Sequence, residues 1–214
     1  ATIAEGVAAE PVDLDIVLES QRPIAGLEYA PVTVSGTFDH AAERHFFATW
    51  QGASGWYVYT PLQRDDGSWV FVNRGFVPFE RKEASTRVEG QVAGRVTVTG
   101  LLRATLAEKP SSILPDNEPD KNIFYWKDIR AMAASSGLPA DADILGLFVD
   151  AGPAPNPGGL PLGGVTLIDL PNNHLQYAFT WYGLAAALAA VTVLYVARSR
   201  PGRGAGAGGA GIGS

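Results

Sequence analysis

The chain has 214 residues, with 16 basic against 22 acidic side chains for a formal net charge of −6, and it contains no cysteine. An acidic balance lacks the basic field that nucleic-acid binding requires, so DNA and RNA are poor candidates as partners. The absence of cysteine excludes disulfides, thiolate nucleophiles and zinc–thiolate centres, and is compatible with an oxidising compartment.

In chain order, residues 1–20 carry a loose apolar pattern broken by Gly6 and Pro11, which reads as a short helix followed by an extended piece. From Pro31 the pattern turns to period two: Val32, Val34 and Phe38 alternate with Thr33, Ser35 and Thr37, the signature of a strand with one buried face. Residues 56–62 and 69–77 are two further runs rich in Val, Tyr, Phe and Trp, and the Asp66-Gly67 pair between them predicts a hairpin turn. Residues 95–102 alternate again, with Val96 and Val98 against Thr97 and Thr99, and residues 145–149 and 165–168 supply two more short apolar runs. One helix stands out at 127–136, where Ile129, Met132 and Ala133 share a face and Gly137 with Pro139 ends it. The expected fold class is mainly β (α+β): an external domain built as an antiparallel barrel or a sandwich, with one short helix.

Leu175 to Ala197 forms a run of 23 uncharged residues, with Asp169 before it and Arg198, Arg200 and Arg203 after it. As a helix it would reach roughly 34 Å, enough to cross a hydrocarbon core of about 30 Å with some tilt. Tyr177, Trp181 and Tyr182 near one end and Tyr195 near the other match an aromatic belt, and the arginines place the short tail on the inner side. The alternative is a long buried helix of a soluble domain, also apolar all round. The expected organisation is an external, periplasmic β domain over 1–171, a transmembrane helix over 172–198 and a disordered tail over 199–214, located in the inner (plasma) membrane. Ala1 is not an initiator methionine, so an upstream signal peptide or an earlier transmembrane helix is expected to carry the domain across.

Most motif-like features have bland readings. Gly204, Gly206 and Gly209 match a dinucleotide fingerprint only formally, because they lack the flanking strand and helix. Asp116, Glu118 and Asp120 fall short of a calcium loop and read as a solvated acidic loop. His40 and His45 read as surface residues, and no serine-enzyme context surrounds any histidine. His174 differs from these. It follows Pro171, Asn172 and Asn173, so either asparagine could cap the helix and leave the imidazole in its first turn, where the dipole disfavours the charged form. A neutral imidazole suits an iron ligand, and helical spacing puts Tyr177, Ala178 and Trp181 on the same side. The competing reading is an interfacial polar residue amid a belt of aromatics.

The segment Pro171-Asn172-Asn173-His174-Leu175-Gln176-Tyr177-Ala178-Phe179-Thr180-Trp181 closely resembles the start of the second transmembrane helix in the Surfeit locus protein 1 family of cytochrome c oxidase assembly factors. Three further motifs follow the family order: Glu28-Tyr29-Ala30-Pro31-Val32 leading to Gly36-Thr37-Phe38, then Gly55-Trp56-Tyr57-Val58-Tyr59-Thr60-Pro61-Leu62, then Val72-Asn73-Arg74-Gly75-Phe76-Val77-Pro78. The similarity runs from about Arg22 to Arg198. The resemblance implies two spans joined by an external β domain, and a role in delivering haem a to the catalytic subunit of a haem-copper oxidase, with haem a supply enzymes as possible further partners. It implies that His174 is the axial iron ligand and that Tyr177 and Trp181 are pocket walls. The first span of the family pattern is missing before Ala1. Arg74, in the third motif, either pairs with a carboxylate of the fold or faces outward towards a haem propionate or an acidic partner.

Two other functions compete: a chaperone or accessory subunit of the oxidase that never touches cofactor, and a membrane enzyme acting on lipid or haem side chains. No catalytic constellation supports the enzyme, so the expectation is a protein without catalytic activity.

Overall fold

The structure, a computed structural model, describes residues 9–166 and 174–199. It divides into two units, Ala1–Leu167 and Ile168–Ser214. In the first, seven strands form one sheet: β1 (Val12–Asp13), β2 (Pro31–Phe38), β3 (Arg44–Trp50), β4 (Ala53–Arg64), β5 (Trp69–Pro78), β6 (Arg95–Ala104) and β7 (Ile144–Ala151). Their order is β1-β2-β6-β7-β5-β4-β3, and an additional β2–β4 pairing over Gly36↔Arg64, Thr37↔Gln63 and Phe38↔Leu62 closes β2, β6, β7, β5 and β4 into a barrel. Gly36 lies at that closure, where a Cβ would run into the backbone of Gln63. A glycine there lets the two strands meet.

The barrel is not wholly antiparallel. β5 runs parallel to β7, pairing Trp69 with Ile144 and Asn73 with Asp150, and β1 runs parallel to β2. Parallel neighbours need a long crossover, and the whole of β6 and the helix at 129–135 lie between β5 and β7 in sequence. Strand alternation sorts the core into two clusters. Val32, Val34, Leu62, Val70, Val72, Leu102, Leu147 and Val149, drawn from all five barrel strands, form the first, plugged by Leu14 and Leu27. Phe71 and Phe148, which point the other way, join Tyr57, Tyr59, Phe76, Phe124 and Met132 in the second. β5 and β7 are therefore buried on both faces, which is why they read as nearly continuous apolar runs.

The two helices of this unit follow local signals. α1 (Leu14–Glu19) is capped by Asp13, whose side chain accepts from the Asp15 N–H. α2 (Ile129–Ser135) is capped by Asp128 through the Ala131 N–H, and it buries Met132. The hairpin at 64–68 forms as expected, with Gly67 at φ 88° and Asp66 holding Ser68 through its backbone and hydroxyl. Of the N-terminal expectation, 1–8 lie outside the described residues; over 9–20 a two-residue strand precedes α1. Thr166 and Val165 form no strand; instead Leu162 bridges Phe76, while 167 and 168 lie outside the described residues.

The second unit is described by α3, a continuous helix of 26 residues from His174 to Ser199. Trp181, Tyr182, Leu184, Leu188, Val191, Leu194 and Tyr195 are all exposed on it, at 57–76% of their surface. Among the described residues, no helix is both long and apolar enough to cross a membrane. Side chains at 174–179, 193 and 196–199 of α3 are outside the description.

Candidate functional site

His174 is the first residue of α3, so its backbone belongs to the helical turn whose N–H groups lack intrahelical partners. This is the electropositive end of the helix. The side chains of His174 and Tyr177 lie outside the described residues. Trp181 is described and is 69% exposed, followed by Tyr182 at 76%. An imidazole in the first turn with aromatic surface one to two turns on has the donor chemistry and apolarity that a planar, iron-bearing ligand needs.

Arg74 belongs to the barrel and faces inward. It is 2% exposed. Its Nη2 donates to the Gly90 carbonyl and, at 3.0 Å, to Asn156 Oδ1; its Nη1 lies 3.3 Å from His40 Nδ1, and its guanidinium sits 4.9 Å over the Phe38 ring. Burial pushes its pKa down to about 10. The outward arginine of the sequence reading is not the arrangement found, because the strand alternation that turns Val70 and Val72 into the barrel turns Arg74 the same way.

The residues flanking Arg74 explain the rest of its motif. Asn73 donates to Asp150 Oδ1 at 3.0 Å and accepts from the Gly75 N–H at 3.1 Å. Asp150 Oδ2 in turn accepts from Arg103 at 2.9 Å, whose Nε donates to Glu28 at 2.7 Å. Two motifs far apart in sequence, around Glu28 and around Asn73, thus meet through one ionic chain, buried at Asp150 and part-buried at Glu28. Gly75 has φ 124°, and a Cβ on it would strike the carbonyl of Leu162. That carbonyl accepts from the Phe76 N–H at 2.9 Å.

Sequence reasoning missed a second ionic centre. His45, expected at the surface, is 3% exposed, alongside Glu43 at 4%, Arg44 at 7% and Arg87 at 5%. Glu43 accepts from both Arg87 and His45, and Arg87 also donates to the carbonyls of Arg81 and Lys82 at 3.1 and 2.9 Å. Burial alone would push the Glu43 carboxyl up, but the hydrogen bonds from His45 and Arg87 outweigh it and hold the carboxyl below its usual value. His45 Nδ1 is buried without a partner among the described residues. The run Glu43-Arg44-His45 at the start of β3 could have signalled the cluster, but Arg87, the partner of Glu43, is 44 residues away. The acidic loop pairs locally instead: Lys109 with Asp116 at 2.7 Å, and Lys121 with Glu118.

The SURF1 family model matches residues 1–186. Surfeit locus protein 1 of Rattus norvegicus is 36% identical over 219 residues, covering 94% of this chain and 68% of the rat protein. The protein of the same name in Homo sapiens is 35% identical, covering 94% and 69% respectively, and that of Xenopus tropicalis is 38% identical, covering 85% and 61%. With the match extending from the N-terminal plug through the whole barrel and into the first turns of α3, the chain belongs to the SURF1 family.

Proposed function

We propose that the chain is an assembly factor for a haem-copper cytochrome c oxidase, holding haem a transiently through His174 and passing it to the catalytic subunit. Family membership carries this reading, together with the placement of the lone imidazole of the helical segment at the first residue of α3. Transfer requires selective but reversible binding. A single protein ligand, His174, would permit release better than two strong ligands would. Tyr177 and Trp181 supply the apolar wall, and Arg74, held within the barrel, is left out of the contact.

In this reading α3 is a membrane span with the β domain on the periplasmic side. The uncharged run from Leu175 to Ala197, the arginines after it, and a helix whose large apolar side chains are exposed on the chain alone all support it. The β domain occupies 1–171, the span 172–198 and the inner tail 199–214. Haem a supply enzymes are candidate donors.

The test is uptake of haem a by the full chain in lipid nanodiscs, followed by the Soret band. Binding is expected, with loss in His174→Ala. Unchanged uptake by the variant rejects ligation by His174. The buried state of Arg74 favours one other reading, a chaperone or accessory subunit that engages the oxidase without cofactor, because it removes an expected propionate partner. Stable one-to-one association with mature, haem-loaded oxidase would select that reading. Association with the haem-free subunit alone would favour the assembly role over that of an accessory subunit.

A further inference from the structure

We propose that His40 and Arg74 form an acid-released latch, which holds the segment 88–92 against the barrel while the imidazole is neutral and frees it on protonation. His40 opens a short 3-10 turn, His40–Ala42, between β2 and β3. Its Nε2 lies 2.9 Å from the Val92 carbonyl oxygen, an acceptor only, so Nε2 carries the proton. Nδ1 is then a bare lone pair, and it faces Arg74 Nη1 at 3.3 Å. The same guanidinium donates to the Gly90 carbonyl and to Asn156 Oδ1, so one histidine and one arginine tie together β5, the turn after β2 and the segments around 90 and 156.

A second proton on His40 would place an N–H against the guanidinium, donor against donor and cation against cation. The charged groups around the pair offer little relief. Glu43 is committed to Arg87 and His45, Arg87 is itself a cation, and Asp39 on the same turn accepts from the Ala41 N–H at 3.1 Å. Phe38 lies beside both His40, with ring centroids 5.6 Å apart and tilted, and Arg74. His40 is held below its ordinary value of 6.5, first by burial; the Val92 carbonyl and Glu43 pull it up, while Arg74 and Arg87 push it down. The imidazole therefore stays neutral at neutral pH and charges only in acid.

The experiment is hydrogen–deuterium exchange by mass spectrometry on the full chain at about pH 7.5 and about pH 5.5, corrected for intrinsic exchange, reading peptides over 84–92. Protection there is expected to fall by about fivefold in acid. His40→Gln, whose amide can donate to Val92 and accept from Arg74 at any pH, is expected to abolish the fall, and His40→Lys to leave the segment open at both pH values. Equal protection of the wild type at both values, or a parallel fall in His40→Gln, overturns the latch. Histidine nitrogen NMR on the wild type gives a readout free of variant folding: the Nε2–H tautomer is expected for His40 at about pH 7.5. An Nδ1–H tautomer or a charged ring at that pH overturns it as well.

Discussion

Replacing Glu43 with alanine is expected to destabilise the β domain by roughly 3–5 kcal/mol, the usual cost of leaving one half of a buried ion pair uncompensated. The side chains of Glu43 and Arg87 are 5% and 1% exposed, so water screens neither. Once the carboxylate is gone, Arg87 keeps the carbonyls of Arg81 and Lys82 but faces no anion, with Arg44 and Arg74 also buried in the domain. His45, already with one ring nitrogen unpartnered, loses its carboxylate partner too. Against a typical total of about 5–15 kcal/mol this is a large fraction. Urea unfolding of the full chain, followed by tryptophan fluorescence, measures it. The exposed pair Arg95–Asp65, with side chains 58% and 65% accessible, is the control, and Asp65→Ala is expected to leave the midpoint unchanged. A loss below about 1 kcal/mol for Glu43→Ala would show that the cluster is hydrated or replaceable, and would refute the reasoning.

The other expectations can be checked on the same preparation. Gly75→Ala should cost about 1–3 kcal/mol from its positive φ alone, and more through the blocked Phe76–Leu162 bridge, seen as a lowered thermal midpoint and faster exchange at Leu162. Leu14→Ala, which empties a fully buried plug of the barrel, should cost roughly 2–5 kcal/mol in urea unfolding. Because the folded Glu43 carboxyl lies below its ordinary 4.5, its contribution is complete above that pH and disappears as the pH falls through the folded value. Stability measured along an acid titration should therefore fall more steeply below about pH 4.5 in the wild type than in Glu43→Gln.

Much of the fold was legible because the strands advertise themselves. Pro31–Phe38 alternates cleanly since only one of its faces is strongly buried, and Asp66-Gly67 supplies the positive φ that its turn demands. β3 escaped notice because Arg44 and His45 open it: a charged start reads as loop until Glu43 next to it and Ser135 from a distant segment take up its donors. The parallel β5–β7 pairing was equally hidden, as alternation records which face is buried but not the direction of the neighbouring strand. For the candidate site, the motif around Asn73 marked a special place, but the inward turn of Arg74 depends on barrel parity. His174 could be singled out because a lone imidazole beside an uncharged helix of this length is conspicuous in sequence.

The measurement closest to the central claim is the haem a content of the oxidase catalytic subunit isolated from cells that lack this protein, complemented with the wild-type chain or with His174→Ala. The account expects the subunit to be present but poor in haem a without the protein, restored by the wild type and not by the variant. Catalytic subunit fully loaded with haem a in the absence of the protein would contradict it.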